Sequence, residues 1–214
     1  MTPDSRRWYN EWAYRVRDVS AASILLTVFM LPVGVAATAV RIESRGPALF
    51  RQTRVGKGGR EFTIFKLRTM YVENETNAIA SSEDKRVTRI GRFLRAWKID
   101  EIPQLFNVLR GDMSLVGPRP ELPQYVRLWP DTERETILSV LPGITDPASV
   151  KFRDEEAMLA GEADVHVAYV TKIAPQKRRL NLKYVRERSF WGDLGILVGT
   201  FFSVIGGGGK VGAE

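Results

Sequence analysis

Two adjacent acids and a spread of cations are the residues best placed to do chemistry. Asp100 and Glu101 open the run Asp100-Glu101-Ile102-Pro103-Gln104-Leu105-Phe106-Asn107. Asp is a good N-cap, and Pro103 is tolerated in a first turn, so the run predicts a helix starting at Asp100. Leu105, Phe106, Val108 and Leu109 would form its apolar side. Both acids would then stand at the positive end of a helix, a place that favours phosphate oxygens. Neighbouring helical positions do not share a face, so a symmetric carboxylate pair is disfavoured. A division of labour fits better, with one acid attacking or taking a proton and the other holding a metal. Arg95 upstream and Arg119 downstream could hold phosphate oxygens. On the residues alone, Asp100 as a plain cap and Glu101 as a solvated acid stays the alternative.

Several elements must position these groups. Residues 48–55 and 61–70 alternate in part around Gly56-Lys57-Gly58-Gly59, which predicts a β-hairpin with a plain Gly-rich turn. Lys66 and Arg68 share one face of it and are further phosphate candidates, with a solvated strand face as the alternative. Residues 71–86 read as a polar surface loop, and 86–95 as an amphipathic helix with a basic face. Val116-Gly117-Pro118-Arg119-Pro120 is stiff, because two prolines fix φ on either side of Arg119. Residues 121–140 predict a short helix broken at Pro130. Arg153 is a weaker anion-binding candidate, and Asp154 to Glu156 a solvated helix start. The single histidine, His166, reads as structural. Residues 175–186 predict a basic helix suited to anionic lipid, and 189–205 an apolar closing helix too short for a comfortable span.

The N-terminal part predicts an anchor. Trp8, Tyr9, Trp12 and Tyr14 mix with Arg6, Arg7, Arg15 and Arg17, as in a helix at the membrane interface. Val19 to Val40 carries no charge and is long enough to cross a bilayer core. Pro32 would bend that rod, and arginines flank both ends, which places both ends on one side. A re-entrant helix satisfies both features; a kinked span is the alternative. The predicted organisation is an anchor over 1–45, a catalytic domain over 46–205 and a tail over 206–214. The fold class is α+β, mostly helical, with a hairpin, a re-entrant membrane helix and interfacial amphipathic helices.

Composition narrows the classes. The chain has 214 residues, a net charge of +7 and a pI near 9.8, which favours a polyanionic partner. It has no cysteine, so disulfides, thiolate catalysis and thiolate metal sites are excluded. A membrane-tethered basic adaptor or nucleic-acid binder is one rival class, and a metal-dependent hydrolase of lipid pyrophosphates another.

The words around the acids are specific. Asp100, Glu101, Gln104 to Leu109, Gly111 to Ser114 and Val116 to Pro120 resemble the core of the bacterial sugar transferase family, the monotopic phosphoglycosyl transferases. Phe65-Lys66, Arg68-Thr69-Met70, Arg95 and Pro142-Gly143-Ile144-Thr145 also match its motifs. The resemblance implies transfer of a sugar 1-phosphate from a UDP-sugar to polyprenol (undecaprenyl) phosphate, with release of UMP. It implies that Asp100 is the nucleophile, that Glu101 is a Mg²⁺ ligand, and that Arg95, Arg119, Lys66, Arg68 and Arg153 hold phosphates. It further implies membrane lipids but no nucleic acid as partners, with a homodimer left open. The place is the bacterial inner membrane, with the catalytic part in the cytoplasm. Two departures stand out. Leu31-Pro32 replaces the frequent Ser-Pro of the bend, and Asp146-Pro147-Ala148-Ser149-Val150 replaces the frequent Gly-Trp-Ala-Gln-Val.

Overall fold

A computed structural model describes residues 3–72, 84–162 and 164–207. Helix α1, Pro3–Glu43, runs without interruption through Pro32. No separate interfacial helix precedes the apolar run. Trp8, Tyr9, Arg6 and Arg7 belong to the same helix, and their side chains lie outside the described residues. The hairpin forms as expected, β1 (Leu49–Val55) pairing antiparallel with β2 (Glu61–Leu67), Leu49 opposite Leu67 and Val55 opposite Glu61. Gly58 and Gly59 turn it at φ 68° and 78°, where glycine has no Cβ to clash. The Gly58 N–H donates to Leu138 O, so the turn is a structural joint. Most of the polar loop, residues 73–83, lies outside the described residues.

Helix α2, Arg89–Ala96, is capped by the Thr88 hydroxyl and also by Glu43, whose carboxylate accepts the Arg89 and Ile90 N–H groups. After it the expected helix start is corrected. Asp100 is no cap. Lys98 takes a left-handed conformation at φ 55°, and a 3-10 turn, Ile99–Gln104, precedes helix α3, Leu105–Arg110. Pro103 has no N–H to give, which a first α-turn and a 3-10 turn both tolerate, and here the chain takes the 3-10 form. Phe106 does not join the apolar side and is 55% exposed. Asn107 takes the inward place, donating to Thr63 O at 2.7 Å and accepting the Phe65 N–H at 3.3 Å. That pair of bonds ties α3 to β2.

The sequence reading contained no second sheet. Strand β3 (Ser114–Val116) nevertheless pairs in parallel with β4 (Gly143–Thr145). Two glycines allow it: a Cβ on Gly143 would lie 2.1 Å from the Gly117 nitrogen, closer than any side chain can stand. The Pro-Gly-Ile-Thr motif is thus the strand that lies against Val-Gly-Pro-Arg-Pro. Short helices follow: α4 (Pro123–Val126) and α5 (Asp131–Ile137) on either side of Pro130, then α6 (Pro147–Lys151), α7 (Glu155–Met158) and α8 (Val165–Ala168). His166 on α8 meets the Tyr125 hydroxyl at 2.9 Å, a structural contact. Helix α9, Ala174–Glu187, turns two of its cations inward, Lys177 to Glu155 and Arg178 to Glu133. The expected lipid-facing role of those two is therefore corrected.

Helix α10, Phe190–Gly207, exposes Trp191, Leu194, Val198, Phe201, Phe202 and Ile205 along its length. Its Asp193 is fully buried and joins α1 to the domain. Arg17 donates to it at 2.9 Å and the Tyr184 hydroxyl at 2.8 Å, while the neighbouring Asp18 accepts from Ser114 at 2.5 Å. Arg15 reaches two carbonyls at the C-terminal end of α3: Leu109 O, and Val108 O, which also accepts the Gly111 N–H at 3.1 Å. The core therefore includes α1: Ala22 packs with Leu105, Val108 and Met113, and Val40 packs with Leu67 and Leu94.

Candidate active site

The 3-10 turn lies beside β2, which brings Lys66 to the two acids. Arg119 comes from the stiff loop after β3. Glu101, 8% exposed, is clasped between them. Lys66 Nζ stands 3.1 Å from Oε1; Arg119 donates to Oε2 at 3.1 Å and to Oε1 through its second nitrogen. This fork-on-fork pairing suits a planar guanidinium. Asp100, 6% exposed, has no such clasp, and its Oδ1 is buried without a hydrogen-bond partner.

The two carboxyl groups are pushed apart electrostatically. Burial first and the Glu101 charge second raise Asp100 from 3.8 to about 6, against the opposing pull of Lys66, Lys98 and Arg95. Burial also works to raise Glu101. There Arg119, then Lys66 and Lys98, overcome it and hold the group well below the usual carboxylate range. Burial pushes Lys66 down, with Glu101 opposing, while the Glu101 charge holds Arg119 up. One acid is a fixed anion locked to cations, and the other is a basic carboxylate with an unsatisfied oxygen. Environments that split two acids in this way assign them different chemical tasks.

The remaining sequence candidates sort into two groups. Arg95, in the last turn of α2, contributes to the field at Asp100 and donates to Thr69 Oγ1 at 2.9 Å. Arg68 is not brought to the acids. It is 2% exposed and donates to Arg45 O at 2.6 Å and Ser44 O at 2.9 Å, holding the turn between α1 and β1. Alternation gave its face, but β2 ends at Leu67 and the chain turns there, so in this structure its guanidinium serves those carbonyls. Arg153 reaches Ala96 O and Val204 O, each at 3.4 Å, and bridges α2 to α10. Among the described residues no three acidic or histidine side chains gather as a ready metal cage. A magnesium ion often needs only one or two carboxylates, with substrate phosphates and water completing its shell. The orphaned Asp100 oxygen fits that requirement, and Glu101 keeps a lone pair on Oε2, which accepts only from Arg119.

Sequence reasoning missed the groups behind this layer. Arg54 donates to Glu121 at 3.2 Å and to Pro120 O at 3.2 Å, and Tyr169 donates to Glu121 at 2.5 Å. Asp146, noticed only as a departure, accepts the Arg119 N–H. Their partners lie far away in the chain, so no local pattern announces them.

Comparison with known proteins gives a consistent answer. The chain is 41% identical over 204 residues to a UDP-glucose:undecaprenyl-phosphate glucose-1-phosphate transferase of Caulobacter vibrioides, covering 89% of this chain and 69% of that one. It is 40% identical over 153 residues to a putative undecaprenyl-phosphate N-acetylgalactosaminyl 1-phosphate transferase of Bacillus subtilis, covering 71% and 81%. An Escherichia coli UDP-glucose:undecaprenyl-phosphate glucose-1-phosphate transferase is 35% identical over 198 residues, but this chain spans only 40% of it. The bacterial sugar transferase profile matches residues 9–207. With a match of that length, this chain belongs to the bacterial sugar transferase family.

Proposed function

We propose that the chain is a phosphoglycosyl transferase that moves a sugar 1-phosphate from a UDP-sugar to polyprenol phosphate and releases UMP. The observation that carries the reading is the split acid pair: a basic, unpartnered Asp100 beside an anionic Glu101 clasped by Arg119 and Lys66. The relatives named above act on undecaprenyl phosphate and support the acceptor class.

In the first step an Asp100 oxygen attacks the β-phosphorus of the donor. The bond from that phosphorus to the bridging oxygen breaks, and UMP leaves with the electron pair. In the second step an oxygen of polyprenol phosphate attacks the same phosphorus and returns Asp100 as a carboxylate. Arg119, Lys66 and Arg95 hold phosphate oxygens and offset the charge that develops on them. Glu101 would hold the magnesium ion, which supplies charge neutralisation on the diphosphate.

The reading places the reaction at the cytoplasmic face of the bacterial inner membrane, with α1 re-entrant in one leaflet. Two contacts support that placement. Arg15 near one end of α1 and Glu43 at the other both bond to the same domain. A straight helix would separate those residues by about 42 Å, more than a hydrocarbon core of roughly 30 Å. Ile24, Val28, Met30, Leu31 and Val35 between them are exposed and apolar, as contact with lipid requires. The exposed apolar residues of α10, with Phe93 on α2, would rest at the interface.

The test is UMP release by purified, lipid-reconstituted protein given a panel of UDP-sugars, Mg²⁺ and polyprenol phosphate. Release that requires the lipid acceptor and is abolished in Asp100→Asn is the expected result. Release to water alone would point to a hydrolase instead.

A further inference from the structure

Arg119 stands between two prolines, and neither proline has an N–H to give. In the run Pro118-Arg119-Pro120 the only backbone donor is that of Arg119 itself. It goes to Asp146 Oδ2 at 3.0 Å. The other oxygen, Oδ1, accepts the Ser149 N–H at 2.5 Å and caps α6. Asp146 is 0% exposed, so no water competes for either bond. The carbonyls of the run are tied down as well: Pro118 O accepts from the Gly143 N–H at 3.0 Å, and Pro120 O from Arg54 at 3.2 Å. The guanidinium also donates to Ile144 O at 3.3 Å, on the strand that leads into Asp146.

Resting on the transfer reading above, we propose that Asp146 is a positioning residue for the reaction. By holding the Arg119 N–H it sets the direction in which that side chain leaves the backbone, and keeps the guanidinium on Glu101 and the donor phosphates. A carboxylate is suited to the place because its two oxygens can accept from two separate elements at once. Arg119 and α6 then move as one body. Arg153, just beyond α6, ties the same body to the end of α2.

The decisive variant is Asp146→Ser in the full chain, reconstituted in lipid. Serine caps a helix about as well as aspartate, but its single short hydroxyl cannot serve both N–H groups. The donor is whichever of UDP-glucose and UDP-N-acetylgalactosamine turns over in the wild type. The expected loss in kcat/KM is about ten- to a hundredfold, the scale of a misplacement near 1 Å. The thermal midpoint should fall by only a few degrees, for the one N–H left unpaired, with the fold retained. Arg119→Ala should also lose activity, and the double variant should fall no further than Arg119→Ala alone, because Asp146 acts through that side chain. Factors that multiply in the double variant, or an unimpaired Asp146→Ser enzyme, overturn the proposal and leave the transfer reading standing. An Arg119→Ala enzyme with full activity removes the role of Arg119 and the proposal with it. A wild type that releases no UMP from any donor overturns the transfer reading first, and the proposal falls as its consequence.

Discussion

Asp100→Asn should inactivate the protein and at the same time stabilise it. The wild-type carboxyl group is raised from 3.8 to about 6 by burial and by Glu101. A charged Asp100 at pH 8 therefore costs the folded state about 3 kcal/mol relative to its neutral form, at roughly 1.4 kcal/mol per unit. Asparagine resembles the neutral form in shape and removes that cost, although its amide nitrogen must find room in a site already rich in donors. A net gain of about 1–3 kcal/mol is expected, equivalent to roughly 2–12 °C in thermal midpoint for a chain of this size. The sign with pH follows. A raised carboxyl favours folding as pH falls, because the folded state takes up the proton first. The wild type should thus catch up with the variant between about pH 7 and pH 4, and the gap should be full above pH 7. The assay is thermal unfolding of both proteins in the same lipid nanodiscs from pH 4.5 to 8.5, beside UMP release at each pH. A variant of equal or lower stability at pH 8, or a gap that does not close on acidification, would refute the claim that Asp100 is held as a strained anion.

Other outcomes follow from the same geometry. In the wild type, kcat/KM should fall on the acid side with a limb near pH 6, read from UMP release, because only the ionised Asp100 can attack. Gly143→Ala should fail to fold or lose several kcal/mol, since its Cβ would meet the Gly117 backbone at 2.1 Å; circular dichroism and thermal unfolding check this. Asp193→Asn should cost about 3–5 kcal/mol by leaving Arg17 and Arg188 beside an uncharged group in the interior, seen as a lower thermal midpoint. Single cysteines placed at Trp12 and Ile42, in a chain that has none of its own, should both react with an impermeant thiol reagent from the cytoplasmic side only.

The acids and their immediate cations were legible because the chemistry-bearing words are local and dense. Asp100, Glu101, Lys66, Arg95 and Arg119 lie within runs whose residue types restrict what they can do. The hairpin was legible for a similar reason, two alternating segments around a Gly-rich turn. The local form of the site was not. The helix start at Asp100 was misread because Pro103 allows either a first α-turn or a 3-10 turn, and only the packing of Asn107 onto β2 selects between them. The surroundings of Arg68 were not legible, because alternation assigns a face but not where the strand stops. The β3–β4 pair escaped because each strand is three residues long, below any periodic signal, and its partner is remote in the chain. Asp193 carries no local signal within its apolar helix, and its meaning appears only beside Arg17, Arg188 and Tyr184.

The bonds that Arg15, Asp18 and Glu43 make with the domain have a practical consequence. Cutting the protein after residue 45 to obtain a water-soluble catalyst would take the Arg15 guanidinium from the end of α3, Asp18 from the Ser114 hydroxyl and Glu43 from the first N–H groups of α2 in one stroke. It would also uncover the apolar surface against which Ala22 and Val40 lie. Helix α1 is as much keel as mooring: the hull above it is shaped around it, and a version without it would need a new underside rather than a shorter chain.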